Sequence, residues 1–295
     1  METMTSISGG QTSAYLAANY PTKYNIFALV TTNDKKCIYP DKKTRQLVSD
    51  KIGREFIGTL EDDKIINTIL DLEQFIGRRI DWVAGLTFDE VIKTKGNILP
   101  SYKARFCTEW MKLEPIFNFW LTNIKKPVKM NIGYRVTEKR RADNMKQKLN
   151  KNGLLERKTI IGKHKSGRNK WASIEWQKPN FPLIKDFIER QDINNYWKNK
   201  PVRFADLNNC IGCFHRSAAL LKKMSNLHPK KFDWFINQEI QKNKELKDKG
   251  ILKYGQDMTG FKPNIRYQKI KDSNFTLSIP FDYDPEGCES GFCGL

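Results

Sequence analysis

The sequence has no run approaching the ~18 consecutive apolar residues that a membrane-spanning helix needs, and Met1 to Ser8 lacks the charged-then-apolar signature of a secretory signal. Both absences predict a cytoplasmic protein with no membrane partner. Histidine is scarce, and the three present, His164, His215 and His228, stand at no metal-binding spacing. There is no H-E-x-x-H and no defensible Ser-His-Asp arrangement, which sets aside zinc-protease and triad chemistry. No repeat of fixed period occurs, and nothing of low complexity beyond lysine richness. Acidic residues are outnumbered: 33 Asp+Glu face 52 Lys+Arg, so the net charge is +19. That excess favours an anionic partner, nucleotide or nucleic acid, while a lysine-rich composition without such a partner stays open.

What is present belongs to a folded chain. Of 295 residues 39% are hydrophobic and 12% aromatic, too many for a disordered one. Thr3 to Ile7 reads as a short strand ending in Ser8-Gly9-Gly10, after which Thr12 and Ser13 can cap a helix that runs to Pro21. Asn25 to Thr32 is a second strand, followed by helical spacing at Leu47, Val48, Ile52 and Phe56. A helix from Asp62 to Ile76 stops at Gly77, and a strand from Ile80 to Leu86 leads to a helix boxed by Thr87 and Glu90 and closed by Gly96. Glu109 to Asn123 reads as a helix irregular around Pro115, and Val128 to Arg135 as a strand. The alternation predicts an α/β fold: a mostly parallel sheet with flanking helices.

Three parts are expected: a nucleotide-binding α/β domain over 1–136, a basic insertion or hairpin over 137–178, and a smaller helical, cysteine-bearing part over 179–295. In the second, Lys139 to Lys170 holds twelve Lys/Arg against Asp143 and Glu156. Its stretch Arg157 to Trp176 predicts a hairpin turning at Lys165-Ser166-Gly167-Arg168. Dense positive charge beside Trp171 suits a nucleic-acid backbone, with a merely solvated face as the alternative. In the third, helices are expected over Pro182 to Gln191, Ser217 to Ser225 and Lys231 to Lys247.

Ser8-Gly9-Gly10-Gln11-Thr12-Ser13 lies between the first strand and the first helix, where backbone N–H groups and the helix dipole favour an anion. It is neither a Walker A loop nor G-x-G-x-x-G. The hexapeptide is similar to the S-G-G-x-D-S pyrophosphate loop of the adenine nucleotide alpha hydrolase (PP-loop) superfamily. Within it, the chain resembles the phosphoadenosine phosphosulfate (PAPS) reductase family. Asp34 matches an acidic position after that family's second strand. Arg105-Phe106-Cys107-Thr108, with Lys112 and Pro115, resembles R-x-C-T-x-x-x-K-x-x-P; Gly133 to Glu138 with Arg141 resembles G-x-R-x-x-E-x-x-R. The resemblance implies an adenine nucleotide, ATP or PAPS, held by residues 8–13, Asp34, Arg105, Lys112, Arg135 and Arg141. Thr12 stands where the family has Asp, and the family's E-C-G-L-H is matched only in part, by Phe292-Cys293-Gly294-Leu295.

The six cysteines are Cys37, Cys107, Cys210, Cys213, Cys288 and Cys293. Stable disulfides do not suit a reducing compartment. Cys210-Ile211-Gly212-Cys213 is a C-x-x-C, which alone is ambiguous among zinc, iron-sulfur cluster and redox dithiol. Cys107 and one tail cysteine would complete four thiolates for a 4Fe-4S cluster, with zinc or free thiols as alternatives, and Cys288 and Cys293 compete for the fourth place. The resemblance, which gives Cys293 another role, implies Cys107, Cys210, Cys213 and Cys288 as the ligands. The resemblance makes Cys293 the nucleophile that attacks sulfur. Cys37 is given no role.

Three functions follow as expectations. The first is thiol-dependent reduction of a sulfonucleotide to sulfite, with a thiol reductant protein as partner. The second is ATP pyrophosphatase-type sulfur insertion into, or other modification of, nucleic acid with an iron-sulfur cluster. The third is a zinc-bearing nucleic-acid-binding module.

Overall fold

Strand segments in the first 131 residues are rich in β-branched and aromatic residues and mostly buried on both sides, as strands between two helical layers are. In the computed structural model, which describes residues 1–251 and 260–275, they form β1 (Thr3–Ile7), β2 (Tyr24–Ala28), β3 (Asp81–Val83) and β4 (Val128–Asn131) of one sheet. With β5 (Leu155–Lys163) and β6 (Asn169–Asn180) the strand order is β3-β2-β1-β4-β6-β5. All neighbours pair in parallel except β5, which runs antiparallel to β6 at the edge. The protein is therefore α/β with a mostly parallel sheet and flanking helices. Because β2 lies on one side of β1 and β4 on the other, the strand order reverses there, the point at which open α/β sheets leave a crevice beyond their carboxyl ends.

Alternate residues of β2 enter different cores. Phe27 packs with α1 (Gln11–Asn19), α2 (Lys42–Ile52) and α3 (Lys64–Ile76), whereas Ile26 and Ala28 pack on the other face with Trp120 and Val128. In α3 the spacing of Ile65, Ile66, Ile69 and Leu72 puts four branched side chains into that core, each contributing about 1.5–3 kcal/mol. Gly77, in the left-handed region at φ 58°, ends the helix as expected. The Thr87–Glu90 box likewise starts α4 (Phe88–Thr94).

Several boundaries differ from the sequence expectation. α1 begins at Gln11 with Gly10 as N-cap, and Thr12 and Ser13 lie inside its first turn. The helix expected over Glu109 to Asn123 starts earlier, with a single turn α5 (Phe106–Thr108), and is itself two pieces: a π-helical turn Glu109–Leu113 and α6 (Glu114–Asn123) with Pro115 in its first turn. After β4 comes α7 (Lys139–Lys146), whose only buried side chains are Ala142 and Met145; so charged a helix shows almost no apolar period. The helix expected over Pro182 to Gln191 is broken: Phe187 adopts φ 56°, ending α8 (Pro182–Lys185), and a Glu189–Asp192 box starts α9 (Arg190–Trp197).

The basic segment is a hairpin, closed where expected by His164 and Arg168 and by Gly167 N–H donating to His164 O at 2.9 Å. It stands within the main sheet through β6, whose Gln177–Asn180 pair with β4. Pro179 is tolerated because β5 pairs no further than Gln177, which leaves one side of the strand open. The last helices are α10 (Ala218–Leu227), α11 (Pro229–Asp248) and α12 (Tyr267–Asp272). They share a third core with Val30, Leu60 and Phe88, past the strands' carboxyl ends. Among the described residues no helix is long and apolar enough to cross a membrane.

Candidate functional site at the strand ends

The glycine turn is braced from within. Ser8 N–H donates to Ser13 Oγ at 3.0 Å, and the Ser13 hydroxyl donates in turn to Gly10 O at 3.0 Å. The two hydroxyls are 3.1 Å apart and buried, so they shape the loop. Gly9 is at φ 79°, and a Cβ there would strike Ile65. α1 has neither a side-chain cap nor an acidic residue in its first turn, so the helix supplies no carboxylate of its own to the positive end of its dipole. Gly133, just past β4, sits over the same turn: a Cβ on it would lie 3.4 Å from Thr12 Cγ2. The loop therefore occupies the β1/β4 crevice.

Two residues that sequence reasoning missed close on this loop from the C-terminal part. Trp197 Nε1–H donates to Gln11 O at 3.0 Å, and the Asn208 side chain lies directly against Gly10. Asn208 Oδ1 is buried with no hydrogen-bond partner among the described residues. The sole sequence signal was its place two residues before Cys210.

The expected anion-binding side chains have diverse surroundings. Asp34 caps a short turn by accepting from Lys36 N–H at 2.8 Å. Arg135 and Arg141 share the carboxylate of Glu138, Arg135 at 3.1 Å, and the Arg141 guanidinium lies 4.5 Å from the Tyr134 ring centre. Lys112, on the π-helical turn, gives its ammonium to Glu61 at 3.0 Å. Glu61, also missed, is 1% exposed; its Oε2 and Arg105 Nε are both buried without partners among the described residues. The Glu-Asp-Asp triplet that carries it was its only advertisement: Asp62 faces His228 and Asp63 pairs with Lys231.

Cys107, Cys210 and Cys213 are brought together. Burial pushes the Cys107 thiol up to about 11, reinforced by Cys213. Burial also raises Cys210 well above its ordinary value, Glu61, Cys213 and Cys107 adding to the rise while Lys112 opposes it. Cys37 is separate, raised by burial to about 12. The C-x-x-C turn is held rigidly. Ile211 N–H donates to Leu60 O at 2.8 Å, Tyr267 Oη–H to Gly212 O at 2.9 Å, and Gly212 packs so closely on the Phe235 ring that a Cβ there would collide. Nearby, His215 is neutral at pH 7, its pKa lowered to about 4 by burial and by Arg105 and Lys262.

The donor set is thiol-rich, as a cluster or zinc would want. Yet among the described residues no three His, Cys, Asp or Glu side chains have the spacing of an assembled metal site. Cys288 and Cys293 lie outside the described residues. Comparison with protein-family models, with curated proteins and with solved structures finds no match.

Proposed function

We propose that the chain is an adenine-nucleotide-dependent enzyme of the PAPS reductase type on an adenine nucleotide alpha hydrolase-like fold, reducing a sulfonucleotide to sulfite. One observation carries this reading: Asn208 lies against Gly10 two residues before Cys210, so thiols and an uncapped helix N-terminus meet at the strand-order reversal. Phosphates would lie on the N–H groups of the glycine turn, within the field of α1. Arg105, with a buried donor that has no partner among the described residues, is suited to a sulfate or phosphate oxygen.

In the reaction the Cys293 thiolate attacks the sulfonate sulfur. The S–S bond forms as the S–O bond to the phosphate breaks, and the nucleotide leaves with that bond's electron pair. A thiolate of a dithiol reductant then attacks Cys293 Sγ and expels sulfite. The second reductant thiol closes a disulfide and frees Cys293 as a thiolate. A cluster or zinc would draw on Cys107, Cys210 and Cys213, with a fourth thiol from the tail.

The thiol grouping favours a second reading, in which ATP yields AMP and pyrophosphate to activate an acceptor for sulfur insertion. The test uses anaerobically purified protein. Iron and zinc are measured, ATP and PAPS are titrated, and sulfite is assayed from PAPS with a dithiol reductant. Sulfite production supports the first reading. Pyrophosphate from ATP without sulfite from PAPS replaces it with the second, and binding of neither nucleotide removes both.

A further inference from the structure

The β5–β6 hairpin reaches past the sheet. Only Gln177–Asn180 of β6 pair with β4, so among the described residues the rest of the ribbon has ladder pairing only between its own two strands. At its exposed end Trp171 is 61% accessible, opposite Ile160 at 46%. A cross-strand partner steadies the ribbon but does not cover the indole. Trp171 stands between two hollows, a groove of about 1080 Å³ whose far wall is α6 and Trp110, and one of about 550 Å³ shared with Lys158 and Ser173.

Between Arg157 and Ser173 the hairpin carries no acidic residue. Within the groove, Arg157 engages both carboxylates, Glu109 at 2.6 Å and Glu114. Lys158, Lys163, Lys165, Arg168 and Lys170 face solvent, none in an ion pair among the described residues. Clustered cations attract phosphates and release their counterions, and an exposed indole offers a stacking face to any base. A duplex keeps its base faces stacked inside, so a protruding tryptophan suits unpaired bases.

We propose that this hairpin is a binding surface for single-stranded nucleic acid, with a base stacked on Trp171 and phosphates along Lys158, Lys163, Arg168 and Lys170. It uses none of the residues given to the nucleotide or the thiols, so it stands or falls independently of the proposed reaction.

Fluorescence anisotropy with a labelled mixed-sequence DNA strand of about 16 nucleotides, its duplex and anionic vesicles tests this in salt from about 50 to 200 mM. The expected result is salt-sensitive binding of the single strand. It should weaken at least tenfold in K158E/K163E/R168E/K170E and about fivefold or more in Trp171→Ala, whose salt slope stays that of the parent. The K42E/K43E/K185E/K198E protein, equal in charge change and altered at exposed positions elsewhere, should bind within about twofold of the parent. Circular dichroism confirms folding, and Trp171→Ala, at an exposed site, keeps the test decisive if the fourfold variant fails to fold. The proposal is overturned if the single strand does not bind, if vesicles bind in its place, if the duplex binds as tightly, if Trp171→Ala changes nothing, or if the control reversal weakens binding as much as the hairpin reversal.

Discussion

The Lys112 ammonium is bonded at 3.0 Å to the carboxylate of Glu61, an ion pair with side chains 12% and 1% exposed that stands beside the C-x-x-C. Burial works against the charge on Lys112, but Glu61, with Cys210 and Cys213 once ionised, outweighs it and raises its pKa. Removing one member of a buried pair strands the other's charge, at a cost of about 3–5 kcal/mol, whereas replacing both by apolar groups is far milder. Denaturant unfolding of Glu61→Gln should therefore show a loss of that size, and E61L/K112M should recover most of it. A single variant as stable as the parent would mean that the pair is not formed.

At Gly10 the restriction is steric. A Cβ there meets the Asn208 amide, and a larger group would also fill the space over the N–H groups of α1. Gly10→Val should weaken ATP and PAPS at least tenfold, about 1.4 kcal/mol, in a protein that still melts cooperatively. Unchanged affinity in the folded variant would put the nucleotide elsewhere.

Much of this architecture was legible because local signals agreed with the global pattern. Gly77, the Thr87–Glu90 box and the turn around Gly167 each act over a few residues, and the sheet follows from alternating strands and helices. The site was legible only in its local parts, the glycine turn and the C-x-x-C. Asn208, Trp197 and Glu61 reach it across long sequence separations, Trp197 and Gln11 being 186 apart, and no periodicity announces such contacts. The Phe187 break was hidden for another reason: a phenylalanine gives no warning of a left-handed backbone, as a glycine would. Arg135 and Arg141 stand three residues either side of Glu138, a spacing at which their pairing is local, whereas the partner of Lys112, Glu61, is 51 residues away and is set by packing.

Asp71 should add a pH dependence at the acid end. Arg203 grips its carboxylate through Nε at 2.7 Å and Nη2 at 2.8 Å and holds the pKa below the usual range, tying α3 to the chain that leads into the C-x-x-C. A carboxylate with a lowered folded pKa stabilises the fold above its unfolded value of about 3.9, and that contribution is lost as pH falls through the folded pKa. Arg203 is 67% exposed, so solvent screening keeps the effect under about 1 kcal/mol. Melting curves from pH 6 down to about pH 3 should fall less steeply for Asp71→Asn than for the parent. Parallel curves would show the contact to be energetically silent.

The tail separates the two enzyme readings. If Cys293 is the nucleophile, Cys293→Ser should abolish sulfite release from PAPS while nucleotide affinity stays within about tenfold of the parent, because the glycine turn provides most of the binding. The same substitution distinguishes a nucleophile from a ligand, since loss of a cluster ligand would lower bound iron or zinc whereas loss of a nucleophile would not. Single-turnover reaction of the parent should also trap sulfonate on Cys293 when the reductant is withheld, an adduct visible by mass spectrometry of the intact protein. Sulfite release that survives in Cys293→Ser would move the attack to another thiol, and Cys107, Cys210 and Cys213, already grouped at the strand ends, would be the next to replace one by one.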